Sequence, residues 1–206
     1  QLVDTTSCAC NFTSPPVMAG DTLVYGQTAG EYPIQGKIFG LNPKTGESTW
    51  TFNTIKDDPD SWGGDSGKYG GGGSWMPGTY DPSTNTYFVG TSNPAPDYDW
   101  GAVKGGIATD GARPGDNLYT SSVLALDPDT GKIKWYHQEV PHDDWDYDSA
   151  LGEFMLLDRD NKKLVVHQNK SGLVFVYNRE DGKIENVWNM IENFNWIESV
   201  NPKTGE

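Results

Sequence analysis

The chain has 206 residues, enough for one domain or two and for a sizeable buried core. It is 35% hydrophobic and 21% charged, with 25 Gly and 13 Pro, a turn-rich composition that excludes collagen, coiled coils and a disordered tail; no run of about 18 apolar residues offers a membrane helix. Fifteen basic residues against 29 acidic ones give a net charge of -14, which repels nucleic-acid phosphate and leaves metal cations and basic proteins as partners.

The first residue is Gln1, with no basic n-region and apolar h-region behind it, and the last residues, Asn201 to Glu206, fall inside a repeated pattern. The expectation is that residues 1–206 are one domain cut at both ends. Cys8 and Cys10 form a C-x-C pair that cannot complete a four-ligand zinc site; a small disulfide ring and two buried thiols both stay open.

In chain order, strands are expected at 22–26, 37–41, 87–90, 122–126, 164–167 and 173–177, all short runs of β-branched, aromatic and aliphatic residues, and no segment carries a helical period. One pattern separates them. Asn42-Pro43-Lys44-Thr45-Gly46 runs on to Trp50, Asp127-Pro128-Asp129-Thr130-Gly131 to Trp135, and Asn178-Arg179-Glu180-Asp181-Gly182 to Trp188; a further copy begins at Asn201-Pro202-Lys203-Thr204-Gly205. Asp81-Pro82-Ser83-Thr84-Asn85 is a degenerate version. Asp or Asn opens the turn, Pro fixes φ, and Gly or Asn accepts a positive φ before the chain reverses, so each copy joins two antiparallel strands. The intervals Thr45 to Thr84, Thr84 to Thr130 and Thr130 to Asp181 are 39, 46 and 51 residues, lengths that suit four-stranded blades. The fold class is therefore all-β, a fragment of a β-propeller with about four blades present. Two long Gly-, Asp- and Pro-rich loops, 57–73 and 94–117, are expected to carry function.

These Trp-ending turns, the Gly-rich stretch leading to Trp75, Gly90-Thr91-Ser92-Asn93-Pro94-Ala95-Pro96, Arg113-Pro114-Gly115-Asp116-Asn117 and Pro141-His142-Asp143-Asp144-Trp145-Asp146-Tyr147-Asp148 together resemble the quinoprotein alcohol dehydrogenases, periplasmic eight-bladed propellers that use pyrroloquinoline quinone (PQQ) and a metal ion. The resemblance runs over essentially the whole chain. It implies cofactor contacts from Thr13, from Thr28, Ala29 and Gly30, from the indole of Trp75 on which the quinone would lie, and from Lys170, where many members carry Arg. It implies metal ligation by Glu31, Asn93, Asp146 and Asp148, with Asp146 also the catalytic base. An aspartate at the position of Asp148 resembles the lanthanide-dependent branch, because a trivalent hard ion takes more oxygen ligands and more negative charge than calcium; calcium is the alternative. Read on the residues alone, these ligands offer only oxygen donors, which suits a hard cation, and Asp146 and Asp148 at alternating positions of a strand would share one face.

The function implied is oxidation of small primary alcohols to aldehydes, with electrons passing to a cytochrome c; pairing with a second copy of the chain is left open. Trp75-Met76-Pro77-Gly78 lacks the second Trp common in methanol-specific members, which favours ethanol-like substrates. The competing readings are a non-enzymatic propeller scaffold with the same Trp-ending repeats, and a quinoprotein acting on sugars or polymers. Trp50, Trp135 and Trp188 are assigned to blade packing.

Overall fold

The computed structural model describes residues 2, 10–28, 30, 32–98, 103–104, 107–108, 113–201 and 204. Three four-stranded sheets account for most of them. The first is β1 (Val17–Ala19), β2 (Thr22–Gly26), β3 (Lys37–Leu41) and β4 (Ser48–Asn53). The second is β5 (Thr79–Asp81), β6 (Thr86–Gly90), β9 (Ser122–Leu126) and β10 (Ile133–Gln138), with the small hairpin β7 (Val103–Lys104) and β8 (Ile107–Ala108) inserted between β6 and β9. The third is β11 (Met155–Arg159), β12 (Lys162–Gln168), β13 (Leu173–Asn178) and β14 (Ile184–Asn189). Every pairing within them is antiparallel and joins strands consecutive in the sheet. The only helical element among the described residues is a short 3-10 turn, Ser66–Tyr69.

The sheets stack face to face, and the strand period of two decides which residue serves which interface. Phe88, Val123 and Ala125 turn toward the third sheet and meet Val165, Leu173, Phe175 and Tyr177. Their alternates Tyr87, Val89, Leu124 and Leu126 turn toward the first sheet and meet Ala19, Val24 and Ile38. This is why β6 and β9 are buried along their whole length and read as continuous apolar runs.

The repeated turns form as expected from their chemistry. The Asn42 side-chain oxygen accepts the Lys44 and Thr45 amides at 2.9 and 3.3 Å, and Asp127 likewise takes Asp129 and Thr130 at 3.0 Å each. Gly46, Gly131 and Gly182 follow at φ of 73, 70 and 72°. Gly131 and Gly182 also serve the neighbouring sheet. The Trp50 indole lies on Gly131 and donates to the Pro128 carbonyl at 2.8 Å; the Trp135 indole lies on Gly182 and donates to the Arg179 carbonyl at 2.9 Å. Each tryptophan thus docks its sheet onto the turn of the next. Trp188, assigned to the same role, is half exposed and has no such partner among the described residues.

Among the described residues the sheets amount to three blades, against the expectation of about four. Asp81 to Asn85 is not a separate repeat: it joins β5 to β6, the inner hairpin of the second sheet, whereas the other three turns join the third strand of a sheet to its fourth. Similar turn chemistry at two corners of one sheet made one blade read as two. The further copy that begins at Asn201 falls mostly outside the described residues.

Candidate functional site

The Trp-docking turns occupy one end of the sheets. At the opposite end, where β2, β6, β10 and β12 finish, loops converge on a cavity of about 260 Å³ lined by Thr13, Gly30, Trp75, Ser92, Asn93, Asp148 and Lys170. Six of these were named from the sequence; Ser92 was not. Gly30 arrives after β2, Trp75 before β5, Ser92 and Asn93 after β6, Asp148 between β10 and β11, and Lys170 in the turn from β12 to β13. Asp146 joins them through Lys170. Thr28 is buried but is not among the lining residues, and its amide donates to the Asn11 carbonyl at 2.9 Å. Ala29 and Glu31 lie outside the described residues, as does Cys8; Cys10 is disulfide-bonded.

At the centre is a charged triad. The Lys170 ammonium bridges Asp146 Oδ1 at 2.9 Å and Asp148 Oδ2 at 2.8 Å. Asp148 Oδ1 accepts the Asn93 amide at 2.8 Å, so the buried carboxylate is held from both sides. Burial pushes the Asp148 carboxyl up, only partly offset by Lys170 and the Asn93 amide. For Lys170 burial pulls down, but the two carboxylates outweigh it and the ammonium is held above its usual value. Asn93 spends its side-chain N–H groups on the Pro94 carbonyl at 3.1 Å and Asp97 Oδ1 at 2.6 Å, which orients its amide oxygen as the remaining acceptor. Among the described residues no three Asp, Glu, His or Cys side chains form a metal-holding group.

Asp146 and Asp148 do not lie on a strand, which corrects the expectation that alternation puts them on one face. Asp143 makes the segment a loop instead. Its buried carboxylate accepts the Trp145 amide at 2.9 Å, the Tyr147 amide at 2.8 Å and the Ser121 hydroxyl at 2.7 Å, and Asp146 takes a left-handed φ of 61°. Both aspartates still reach one cation. A fully buried Arg113 braces the same loop, donating to the Asp143 carbonyl at 2.7 Å and the Asp144 carboxylate at 2.9 Å, while its Nε holds the Pro96 carbonyl at 2.9 Å. Arg113 carries a motif quoted from the sequence, yet nothing in its spacing announced that it would tie the Asn93 loop to the Asp146 loop.

The Gly70-Gly73 run is where neighbouring backbones approach closely. Gly71 exchanges backbone bonds with Ile34 and Gly36 at 2.7 Å each, and Gly70, Gly72 and Gly73 bond Ala95, Asn93 and Ser92 at 3.0, 3.1 and 2.6 Å. Three backbones pack together there without side chains between them, and this packing fixes Gly30 and Asn93 at the cavity wall. A second cavity, of about 390 Å³, with Lys56, Asp58, Trp62 and Lys68 in its wall, contains none of the expected site residues; both lysines are paired, with Asp58 at 2.7 Å and Asp65 at 2.9 Å.

The first cavity therefore offers an indole and a side-chain amide on its wall, a buried carboxylate, and an ammonium that also holds the carboxylate of Asp146. Such a set can take a flat anionic ligand together with a hard cation. No helix of the described residues is long and apolar enough to cross a membrane.

The chain is similar to known proteins. The chain is 30% identical to the quinoprotein alcohol dehydrogenase PedE of Pseudomonas putida, over 97% of this chain and 37% of that protein. It is 32% identical to subunit 1 of methanol dehydrogenase [cytochrome c] of Methylorubrum extorquens, over 94% of this chain and 33% of that one. A europium-containing methanol dehydrogenase superposes with a TM-score of 0.75 at 27% identity, covering 88% of this chain and 34% of that structure. The chain thus spans about a third of the length of the relatives it matches. The family described as "Glucose/ethanol/alcohol dehydrogenase, beta-propeller domain" matches residues 1–195, and the chain belongs to this PQQ-dependent family as part of its β-propeller.

Proposed function

We propose that the protein carrying this chain oxidises small primary alcohols to aldehydes, with PQQ and a metal ion held in the cavity between Trp75 and Lys170. The observation that carries the reading is the convergence of Thr13, Gly30, Trp75, Asn93, Asp148 and Lys170, drawn from five separate loops and the N-terminal segment, on that one cavity. The residues fit the groups. Trp75 gives an apolar wall for a planar ring system, and Lys170 gives a charge for its anionic oxygens. Asp146 and Asp148 already share one cation, and the Asn93 oxygen is the acceptor its neighbours leave over. When bound, the quinone supplies the hydride acceptor and the metal ion supplies Lewis acidity.

The chain's own residues then divide the remaining work. Asp148 is 5% exposed and both its oxygens are engaged, so it serves as a fixed negative charge. Asp146 is 28% exposed and its Oδ1 is held by Lys170, leaving Oδ2 to take the hydroxyl proton of the alcohol. The ammonium of Lys170 keeps that carboxylate oriented and balances the two adjacent negative charges. The buried Asp148 beside Asp146 is the reason to prefer a lanthanide over calcium, and a relative that contains europium supports it. The net charge of -14 suits a basic cytochrome c as electron acceptor in the periplasm, and the name of the methanol dehydrogenase relative supports the cytochrome c.

The test is reconstitution of the full-length protein with PQQ and either calcium or lanthanum, followed by dye-linked ethanol oxidation. Turnover with lanthanum, and at least tenfold less with calcium, is the expected result. Turnover with calcium alone would remove the lanthanide preference, and none with either metal would return the scaffold reading.

A further inference from the structure

Directly behind the Asp148–Lys170 ion pair sits a second buried charge that the proposed chemistry does not use. Glu139 follows the end of β10, and its side chain is completely inaccessible to solvent. Five contacts fill its two oxygens. Oε1 takes the Tyr177 hydroxyl at 2.8 Å and His167 Nδ1 at 2.9 Å; Oε2 takes the Ser149 hydroxyl at 2.7 Å, the Asn169 amide at 3.0 Å and His167 Nδ1 at 3.0 Å. All of these partners donate, which is the pattern an ionised, acceptor-only carboxylate requires. The His167 ring is held at both ends, since its Nε2 meets the Leu151 carbonyl at 3.1 Å.

The partners are placed by sequence at telling positions. Ser149 follows Asp148, and Asn169 precedes Lys170. Ser149 and Asn169 both bond Oε2, while Asp148 and Lys170 bond each other at 2.8 Å. Two backbone segments, one from the loop after β10 and one from the turn between β12 and β13, are thus clamped together below by Glu139 and above by the ion pair. Neither segment is otherwise rigid by secondary structure.

We propose that Glu139 is a positioning residue that sets the separation of Asp148 and Lys170, and through them the cation-holding geometry of the site. Its effect on cofactor and turnover rests on the function proposed above, whereas its effect on the ion pair does not. Glu139→Gln keeps the shape and inverts one acceptor: whichever way the amide is turned, its NH2 group faces donors, from Ser149 and Asn169 in one orientation and from Tyr177 and His167 in the other.

The experiment uses the full-length protein in two arms. Without cofactor, the coupling between Asp148 and Lys170 is read from unfolding equilibrium constants in a cycle of Asp148→Asn and Lys170→Met, in the native and the Glu139→Gln backgrounds. The expected result is a coupling factor at least fivefold smaller in the variant; a factor unchanged within twofold overturns the proposal. With PQQ and lanthanum, the variant is expected to bind PQQ at least tenfold more weakly by tryptophan-fluorescence titration, and to lose kcat with less than a threefold change in KM for ethanol. Native PQQ affinity and kcat in a folded variant also overturn it. Should Glu139→Gln fail to fold, Ser149→Ala, which cuts the link from Oε2 to the Asp148 segment and with it a 3.5 Å contact from Asn169 to the same hydroxyl, answers the same two measurements with the same thresholds. A native protein that binds no PQQ would count against the cofactor reading alone, because the coupling arm decides the role of Glu139 without it.

Discussion

Trp135 offers a direct measure of how the sheets are joined. Its ring is 7% exposed, packs against Phe88 and Tyr177 at centroid distances of 5.6 and 5.7 Å, and lies so close to Gly182 that a Cβ there would come within 2.6 Å of the indole. Trp135→Ala removes that contact area and the bond to the Arg179 carbonyl, and should cost about 4 kcal/mol. Trp135→Phe keeps most of the apolar area but loses the indole donor, for about 1 to 2 kcal/mol. Gly182→Ala forces a side chain onto a φ of 72° and into the ring, a further route to a loss of about 2 kcal/mol. Because the clash at Gly182 exists only while the indole is present, the double variant Trp135→Ala, Gly182→Ala should cost at least about 1 kcal/mol less than the sum of the single changes. Guanidinium unfolding of the cofactor-free, full-length protein, followed by far-UV circular dichroism, reads all four values. Strictly additive costs, or an alanine variant within about 1 kcal/mol of the native protein, would refute the docking of Trp135 on the neighbouring turn.

Asp81 and Arg179 form a buried ion pair between the second and third sheets at 3.2 Å, with side chains 3% and 4% exposed. Burial raises the Asp81 carboxyl, but bonds from Thr84 and Ser83 and the charge of Arg179 outweigh it, and its net position is below the ordinary range. The group therefore contributes stability that is present above about pH 4 and lost as pH falls through its lowered value. Asp81→Asn should flatten that acid limb of the stability curve, and an unchanged limb would rule the linkage out. At the site, Gly30→Ala would drive a Cβ into Ser92 Oγ and within 3.0 Å of the Gly73 amide nitrogen. A loss of at least tenfold in PQQ affinity by fluorescence titration is expected, and native affinity would show that the loop yields without cost to the site.

The strands of the fold were legible because central strands buried on both faces must be continuously apolar, as at 122–126 and 173–177. The turns were legible because a positive φ demands Gly or Asn. Blade count was not, since Asp81-Pro82 and Asp127-Pro128 close different corners with the same chemistry. The lining of the cavity was legible through the motifs around Trp75, Asn93 and Asp148. What supports it was hidden. Glu139 stands in Gln138-Glu139-Val140, and its burial depends on His167 and Tyr177, brought to it by packing of the third sheet, and on Ser149 of the loop after β10. Asp146 and Asp148 share a cation for a reason that alternation does not contain, namely the hydrogen bonds Asp143 makes within its own loop.

The central claim is that Asp146, poised on Lys170 at the edge of the cavity, moves the alcohol's proton. Its most direct test is steady-state ethanol oxidation by the full-length protein loaded with PQQ and lanthanum, native against Asp146→Asn, with bound PQQ quantified in both. The account predicts that the variant retains PQQ and loses at least about a thousandfold in kcat, within the range expected for a positioned general base. Turnover within tenfold of the native protein, with PQQ equally bound, would contradict it.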